Sequence, residues 1–161
     1  MNGAIIHPIP PVFDKNSRIL ILGSFPSVKS RETGFFYGHS QNRFWKVISS
    51  LFGEETPRTV EEKKDLLIRN GVALWDVLHS CEIRGSSDAS IKNASPNDLS
   101  VILCAADIKA IFTNGAAAYK YYVRYAQPST GRPAVLLPST SPANAAWNTE
   151  KLIDEWKRIL T

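Results

Sequence analysis

Histidine and cysteine are scarce in this 161-residue chain: three histidines, the last of them His79, and two cysteines, Cys81 and Cys104. A Ser-His-Asp triad with a late histidine, as in many α/β hydrolases, cannot be built from that set. Two widely spaced cysteines do not make a zinc or iron–sulfur site and read instead as reduced, buried thiols. No metal and no cofactor is therefore expected. No run is long and apolar enough to span a bilayer, so no membrane partner is expected. Met1 to Pro11 lacks the charged start and apolar stretch of a signal peptide, which predicts a cytoplasmic protein. Gly23-Ser-Phe-Pro-Ser27 lacks the spacing and lysine of a P-loop, and no GxGxxG follows the first strand. Nucleoside triphosphates and dinucleotides are disfavoured accordingly. Internal repeats and low-complexity tracts are also missing.

What is present fits one domain over residues 1–161 with a substantial core. Apolar residues make up 43% of the chain, and the net charge of +4 permits a polyanionic partner without demanding one. Residues 1–17, with Pro8, Pro10 and Pro11, read as an extended lead-in on the surface. Ile19 to Leu22, stopped by Gly23, is a strand covered on both faces of a parallel sheet. Phe44, Trp45, Val47, Ile48 and Leu51 form a helical stripe that Gly53 ends. Thr59-Val-Glu-Glu62 is a capping box opening a helix that stops at Asn70-Gly71. Val72 to Leu74 is the second strand. Ser80 to Asn93 reads as an irregular excursion, and Ser95-Pro96 as the N-cap and first residue of a helix over 97–106. Ile108 to Thr113 is the third strand, followed by a helix from Ala116 to about Tyr125. Val135 to Leu137 is the fourth strand, and Leu152, Ile153, Trp156, Ile159 and Leu160 make the last helix amphipathic. The alternation predicts an α/β fold: a three-layer α/β/α sandwich around a short four-stranded parallel sheet.

In such sheets ligands bind at the carboxyl ends of the strands. That edge would gather Ser24, Phe25, Phe36, Tyr37, His39, Asn42, Asn114, Ser139 and Ser141. Flat aromatic faces beside amides and hydroxyls suit a nucleobase: an extrahelical base needs a face to stack on and amides that read its edge. Backbone N–H groups at loop and helix starts suit phosphates.

Three segments carry a family resemblance: Gly23-Ser-Phe-Pro-Ser27, Gly34-Phe-Phe-Tyr-Gly-His-Ser-Gln-Asn-Arg-Phe-Trp-Lys-Val-Ile48 and Ser139-Thr-Ser-Pro-Ala-Asn144. Together they resemble the uracil-DNA glycosylase superfamily, and within it the DNA-deoxyinosine (hypoxanthine-DNA) glycosylases, over about residues 18–160. The Asn-Arg-Phe-Trp-Lys-Val-Ile run is also similar to the mismatch-specific uracil/thymine glycosylases. The resemblance implies a monofunctional DNA glycosylase that flips a deaminated base, hypoxanthine before uracil, and hydrolyses its N-glycosidic bond in base-excision repair without a cofactor. DNA containing deaminated bases is the implied partner and a monomer the implied state. Asn42 and His39 are the implied catalytic residues. Gly23, Ser24, Phe25, Phe36, Tyr37 and Asn114 would bind the base. Ser27, Lys29, Arg43, Ser139, Ser141, Pro142, Ala143 and Asn144 would contact DNA. Phe25 departs from the pattern, because the related families place a water-orienting asparagine or aspartate there.

Plainer roles stand beside these. Asn42 also fits an N-cap, Asn114-Gly115 a turn, His39 a solvent-facing loop imidazole, and the aromatics a core. Two other readings of the whole chain remain open: a catalytically silent nucleic-acid-binding module on this scaffold, and a small-molecule hydrolase using Ser24.

Overall fold

Successive side chains of a strand point to opposite faces of its sheet, and the run Ile19–Leu22 fills a core on each. In the computed structural model, which describes residues 3–160, Ile21 enters one hydrophobic cluster while Leu20 and Leu22 enter another. A short strand β1 (Ile5–Ile6) precedes β2 (Ile19–Gly23), helices α1 (Val28–Thr33), α2 (Phe44–Leu51) and α3 (Val60–Arg69), and strand β3 (Val72–Asp76). Strands β4 (Leu78–Glu82) and β5 (Lys92–Pro96), helix α4 (Ser100–Leu103) and strand β6 (Ala110–Asn114) follow. Helices α5 (Ala116–Tyr121) and α6 (Gln127–Thr130) then flank a wider helical turn at Tyr122–Ala126, before strand β7 (Val135–Leu137) and helix α7 (Thr149–Trp156).

The main sheet is parallel, in the order β3-β2-β6-β7. One face carries Phe44, Trp45, Val47, Ile48, Leu66, Leu67, Leu152 and Trp156 from α2, α3 and α7. The other carries Ile102 from α4 and Tyr121 and Tyr122 from the α5 segment. This is the expected three-layer sandwich. Helix α3 opens on the expected capping box, with Thr59 Oγ1 accepting from the Glu62 N–H and Glu62 Oε2 from the Thr59 N–H.

The structure corrects the reading of residues 78–106. Leu78–Glu82 and Lys92–Pro96 are paired antiparallel strands, and β1 adds to them to make a second, three-stranded sheet. Pro96 ends β5, where a missing N–H is tolerated, and does not start a helix. The Asn97 side chain donates to the Asp76 and Leu78 carbonyls, which ties this segment to the main sheet. The helix begins only at Ser100, whose N–H is accepted by Asp98 Oδ1. The helix that starts at Ala116 runs on past Tyr125 to Thr130.

The lead-in is extended but not superficial. Ile9 and Val12 are buried, and Val12 exchanges backbone hydrogen bonds with Leu74. Met1, Asn2 and Thr161 lie outside the described residues. Cys81 is buried, and burial pushes its thiol up to about 11, whereas Cys104 is exposed, contrary to expectation. Among the described residues no helix is long and apolar enough to cross a membrane.

Trp156 is fully buried, packs edge-on against Phe44 and donates its indole N–H to the Pro138 carbonyl at 2.9 Å. Trp156→Ala should therefore lower the unfolding free energy by about 3–5 kcal/mol, read by urea denaturation. A loss below about 1 kcal/mol, the scale of one minor packing change, would show that α7 does not anchor the strand-to-loop junction.

Candidate active site

Strands β2, β3 and β6 end at Gly23, Asp76 and Asn114, and these three residues line one cavity of about 130 Å³. That is well below the roughly 300–1,000 Å³ of pockets that bury drug-sized ligands, so it suits one small ring system. Phe25, Phe36 and Tyr37 supply its aromatic lining, and Ser24, Asn42, Asp76, Asp88, Asn114 and Thr140 its polar groups. No lysine, arginine or histidine is among the lining residues. The interior thus favours an uncharged ring and developing positive charge over a phosphate.

The asparagines are held by Thr140. Its N–H donates to Asn114 Oδ1 at 3.0 Å, while its hydroxyl accepts from Asn114 Nδ2 at 3.0 Å and donates to Asn42 Oδ1 at 2.9 Å. Asn42 Oδ1 also accepts from the Phe44 N–H at 2.9 Å. Backbone N–H groups can only donate, so both amide orientations are fixed. Asn42 therefore does bond the start of α2, in keeping with its plainer role. Its oxygen is engaged twice and its Nδ2 makes no hydrogen bond among the described residues, so the amide's open end is a donor.

A buried acid–base pair lies beside the cavity. The Ile9 N–H donates to His7 Nδ1, so the ring proton sits on Nε2, which donates to Asp76 Oδ2 at 2.7 Å. Both side chains are almost wholly enclosed, and the His7 ring packs edge-on to Phe25 and Trp75. Asp76 Oδ1 carries no hydrogen bond among the described residues. Gly23 makes room for it, since a Cβ there would collide with Asp76 Oδ1 and stand 3.0 Å from the Tyr37 hydroxyl. That hydroxyl is buried without a partner, on a residue of positive φ, 52°. Burial and the adjacent Asp76 charge push the phenol far above its ordinary value, so it is a permanent O–H.

At the cavity's mouth Ser24 Oγ donates to Asp88 Oδ1 at 2.7 Å. Asp88 is exposed as a residue, but its carboxylate is turned inward, where burial raises its pKa, the Ser24 bond lowers it and the Asp76 charge raises it further. The 84–91 loop is strapped across this side: Arg31 donates to the Gly85 carbonyl at 2.7 Å and the Val28 N–H to Ser86 Oγ at 2.9 Å.

Of the sequence-predicted residues, Gly23, Ser24, Phe25, Ser27, Phe36, Tyr37, Asn42, Asn114, Ser139 and Ser141 meet at this cavity. Ser27 also caps α1, accepting from the Ser30 N–H. His39 and Lys29 do not line it. His39 is exposed, and its Nδ1 accepts from the Gln41 N–H at 3.1 Å. Ala143 and Asn144 line a neighbouring groove with Leu136 and Trp147. Arg43 is spent on backbone: its guanidinium donates to the carbonyls of Thr140, Ser141, Asn144 and Trp147 and so shapes the 139–147 loop.

Sequence reasoning missed Asp76, Thr140, Asp88 and His7. Asp76 directly follows an apolar run at the productive end of a strand, and Thr140 sits inside a recognised motif; both signals were legible. Nothing local marked His7 or Asp88.

A uracil DNA glycosylase superfamily model matches residues 10–160. The chain belongs to this superfamily. Two curated relatives, both called hypoxanthine DNA glycosylase, come from Methanosarcina species. The Methanosarcina barkeri protein is 35% identical over 70% of this chain and 72% of its own length. The Methanosarcina acetivorans protein is 33% identical over 93% of this chain and 94% of its own. The solution NMR structure of a Methanosarcina acetivorans protein, described as a candidate uracil DNA glycosylase, superposes with a TM-score of 0.78 at 30% identity. It covers 95% of this chain and 97% of that one.

Replacing Arg43 with lysine keeps the charge but removes the fork that reaches several carbonyls at once. Arg43→Lys should cost about 1–3 kcal/mol of stability. The effect should be concentrated in faster amide hydrogen exchange over residues 139–147. Unchanged exchange there would refute the loop-holding role.

Proposed function

We propose that this protein is a monofunctional DNA glycosylase that excises a flipped, deaminated base, hypoxanthine in preference to uracil, from DNA. The observation that carries the reading is a base-sized, cation-free cavity with aromatic walls and two orientation-locked asparagines at the carboxyl edge of the sheet. Membership of the superfamily and relatives named hypoxanthine DNA glycosylase support it.

Glycosidic cleavage leaves positive charge on the sugar and negative charge on the departing base. The free Nδ2 of Asn42 is a donor suited to that base, while its doubly engaged oxygen makes it a poor holder of an attacking water. Phe25 belongs to the aromatic wall and cannot hold a water either. Asp88 is the group suited to holding and activating that water, because its carboxylate is at the mouth and a raised pKa makes it a better proton acceptor than a solvated carboxylate. It also offers negative charge to the oxocarbenium-like sugar. His39 and Lys29, exposed beside this edge, remain available to phosphates. The protein is proposed to act as a monomer and in the cytoplasm.

End-labelled duplexes carrying one deoxyinosine or deoxyuridine, treated with alkali after incubation, test the reading. Strand scission confined to damaged positions, faster at deoxyinosine, is expected. Binding without scission would favour the catalytically silent module instead. Asn42→Ala should keep the fold and lose about 10²–10³ in rate, as on removing a transition-state hydrogen-bond donor; full activity would refute its role.

A pH profile tests Asp88. Only its ionised form can accept a proton, so kcat/KM should fall as pH drops through a pKa above the ordinary carboxylate value. Asp88→Asn should abolish that acid limb along with most of the activity. An unchanged limb in the variant would assign it to another group.

A further inference from the structure

We infer that Asp76 distinguishes a deaminated base from its parent, its free Oδ1 accepting the ring N–H that deamination creates. This rests on the glycosylase reading above and adds a specificity residue to it. Hydrolysis of adenine's amino group gives hypoxanthine, and the N1 lone pair becomes N1–H beside a new carbonyl. Cytosine changes the same way at N3 in becoming uracil. In each case one ring position turns from acceptor to donor.

A carboxylate can only accept. Asp76 is fixed as such a reader, because Oδ2 is occupied by the His7 Nε2–H at 2.7 Å and Oδ1 has no partner among the described residues. The residue is 3% exposed, yet it lines the cavity, and Gly23 leaves the approach to Oδ1 open. Seated against Phe25 and Phe36, a base presenting N–H to Oδ1 satisfies the carboxylate. A parent base in the same seat opposes a lone pair to it, a mismatch that a buried site punishes heavily. The unpartnered Tyr37 hydroxyl lies at the same spot and is an obligate donor. The carbonyl that deamination sets next to the N–H is the acceptor it lacks. Guanine carries an N–H at the equivalent place, so Asp76 answers only for the adenine/hypoxanthine and cytosine/uracil pairs.

Asp76→Asn tests this with little change of shape. The asparagine oxygen still accepts from His7, while an NH₂ replaces the free oxygen and turns acceptor into donor. The variant and the wild type are compared on duplexes containing deoxyinosine or deoxynebularine, whose purine base has an N1 lone pair and no N–H. Differences in leaving-group quality cancel in the ratio between enzymes. Expected is a fall in kcat/KM on deoxyinosine of about 10²-fold or more, with no comparable fall on deoxynebularine. An equal fall on both substrates, as a purely structural role would give, or no fall on either, overturns the inference and leaves the glycosylase reading intact. Wild type inert on deoxyinosine overturns both. Should Asp76→Asn fail to fold, free bases decide with the wild type. Hypoxanthine should inhibit deoxyinosine excision far better than purine, and equal inhibition overturns the proposal.

Discussion

One hydroxyl group fixes the orientation of both asparagines in this cavity. Thr140 Oγ1 has a single proton and gives it to Asn42, so the Asn114 amide must donate to it. The backbone N–H groups of Thr140 and Phe44 fix the remaining ends. No member of this hydrogen-bonded series can rotate without leaving a buried donor or acceptor unpaired, at about 1–3 kcal/mol for each group. Asn42 thereby faces the cavity as a donor with no reorganisation left for the moment of reaction, which is the condition for effective electrostatic stabilisation.

Thr140 itself is held by Arg43, which begins the helix on the opposite wall. The guanidinium gathers four carbonyls of the 139–147 loop, and the Arg43 N–H adds a further bond to the Thr140 carbonyl at 3.1 Å. Two segments remote in sequence are joined there by one side chain. A cation in the middle of a DNA-glycosylase motif invites a phosphate-binding reading. Here its donors are turned into the protein, and the cavity it helps to shape carries only negative charge.

Much of this was legible in the chain. The unbroken run Ile19–Leu22, the stripe on α2 and the Thr59 capping box each express one dominant local rule, and each stands as read. Asn42 and Asn114 were legible because strand ends and motif positions converge on one sheet edge. The second sheet was not, because β4 and β5 are rich in serine, asparagine and lysine and show no period of two. Their pairing is set by contacts with β1 and by Asn97, which no local window contains. His7 was hidden for a similar reason: among prolines a histidine looks solvated, and only its pairing with Asp76 across 69 residues of sequence gives it a role.

That last separation has a kinetic side. The His7–Asp76 and Asn42–Thr140 bonds close loops of 69 and 98 residues, and contacts of that span form late because the chain's freedom must first be surrendered. Secondary structure and the centre of the sheet can assemble while both ends of the chain are still loose. The cavity cannot. A partly folded form of this protein would hold its helices and strands yet have no place to seat a base, so competence for chemistry arrives with the final closure of the chain and not before it.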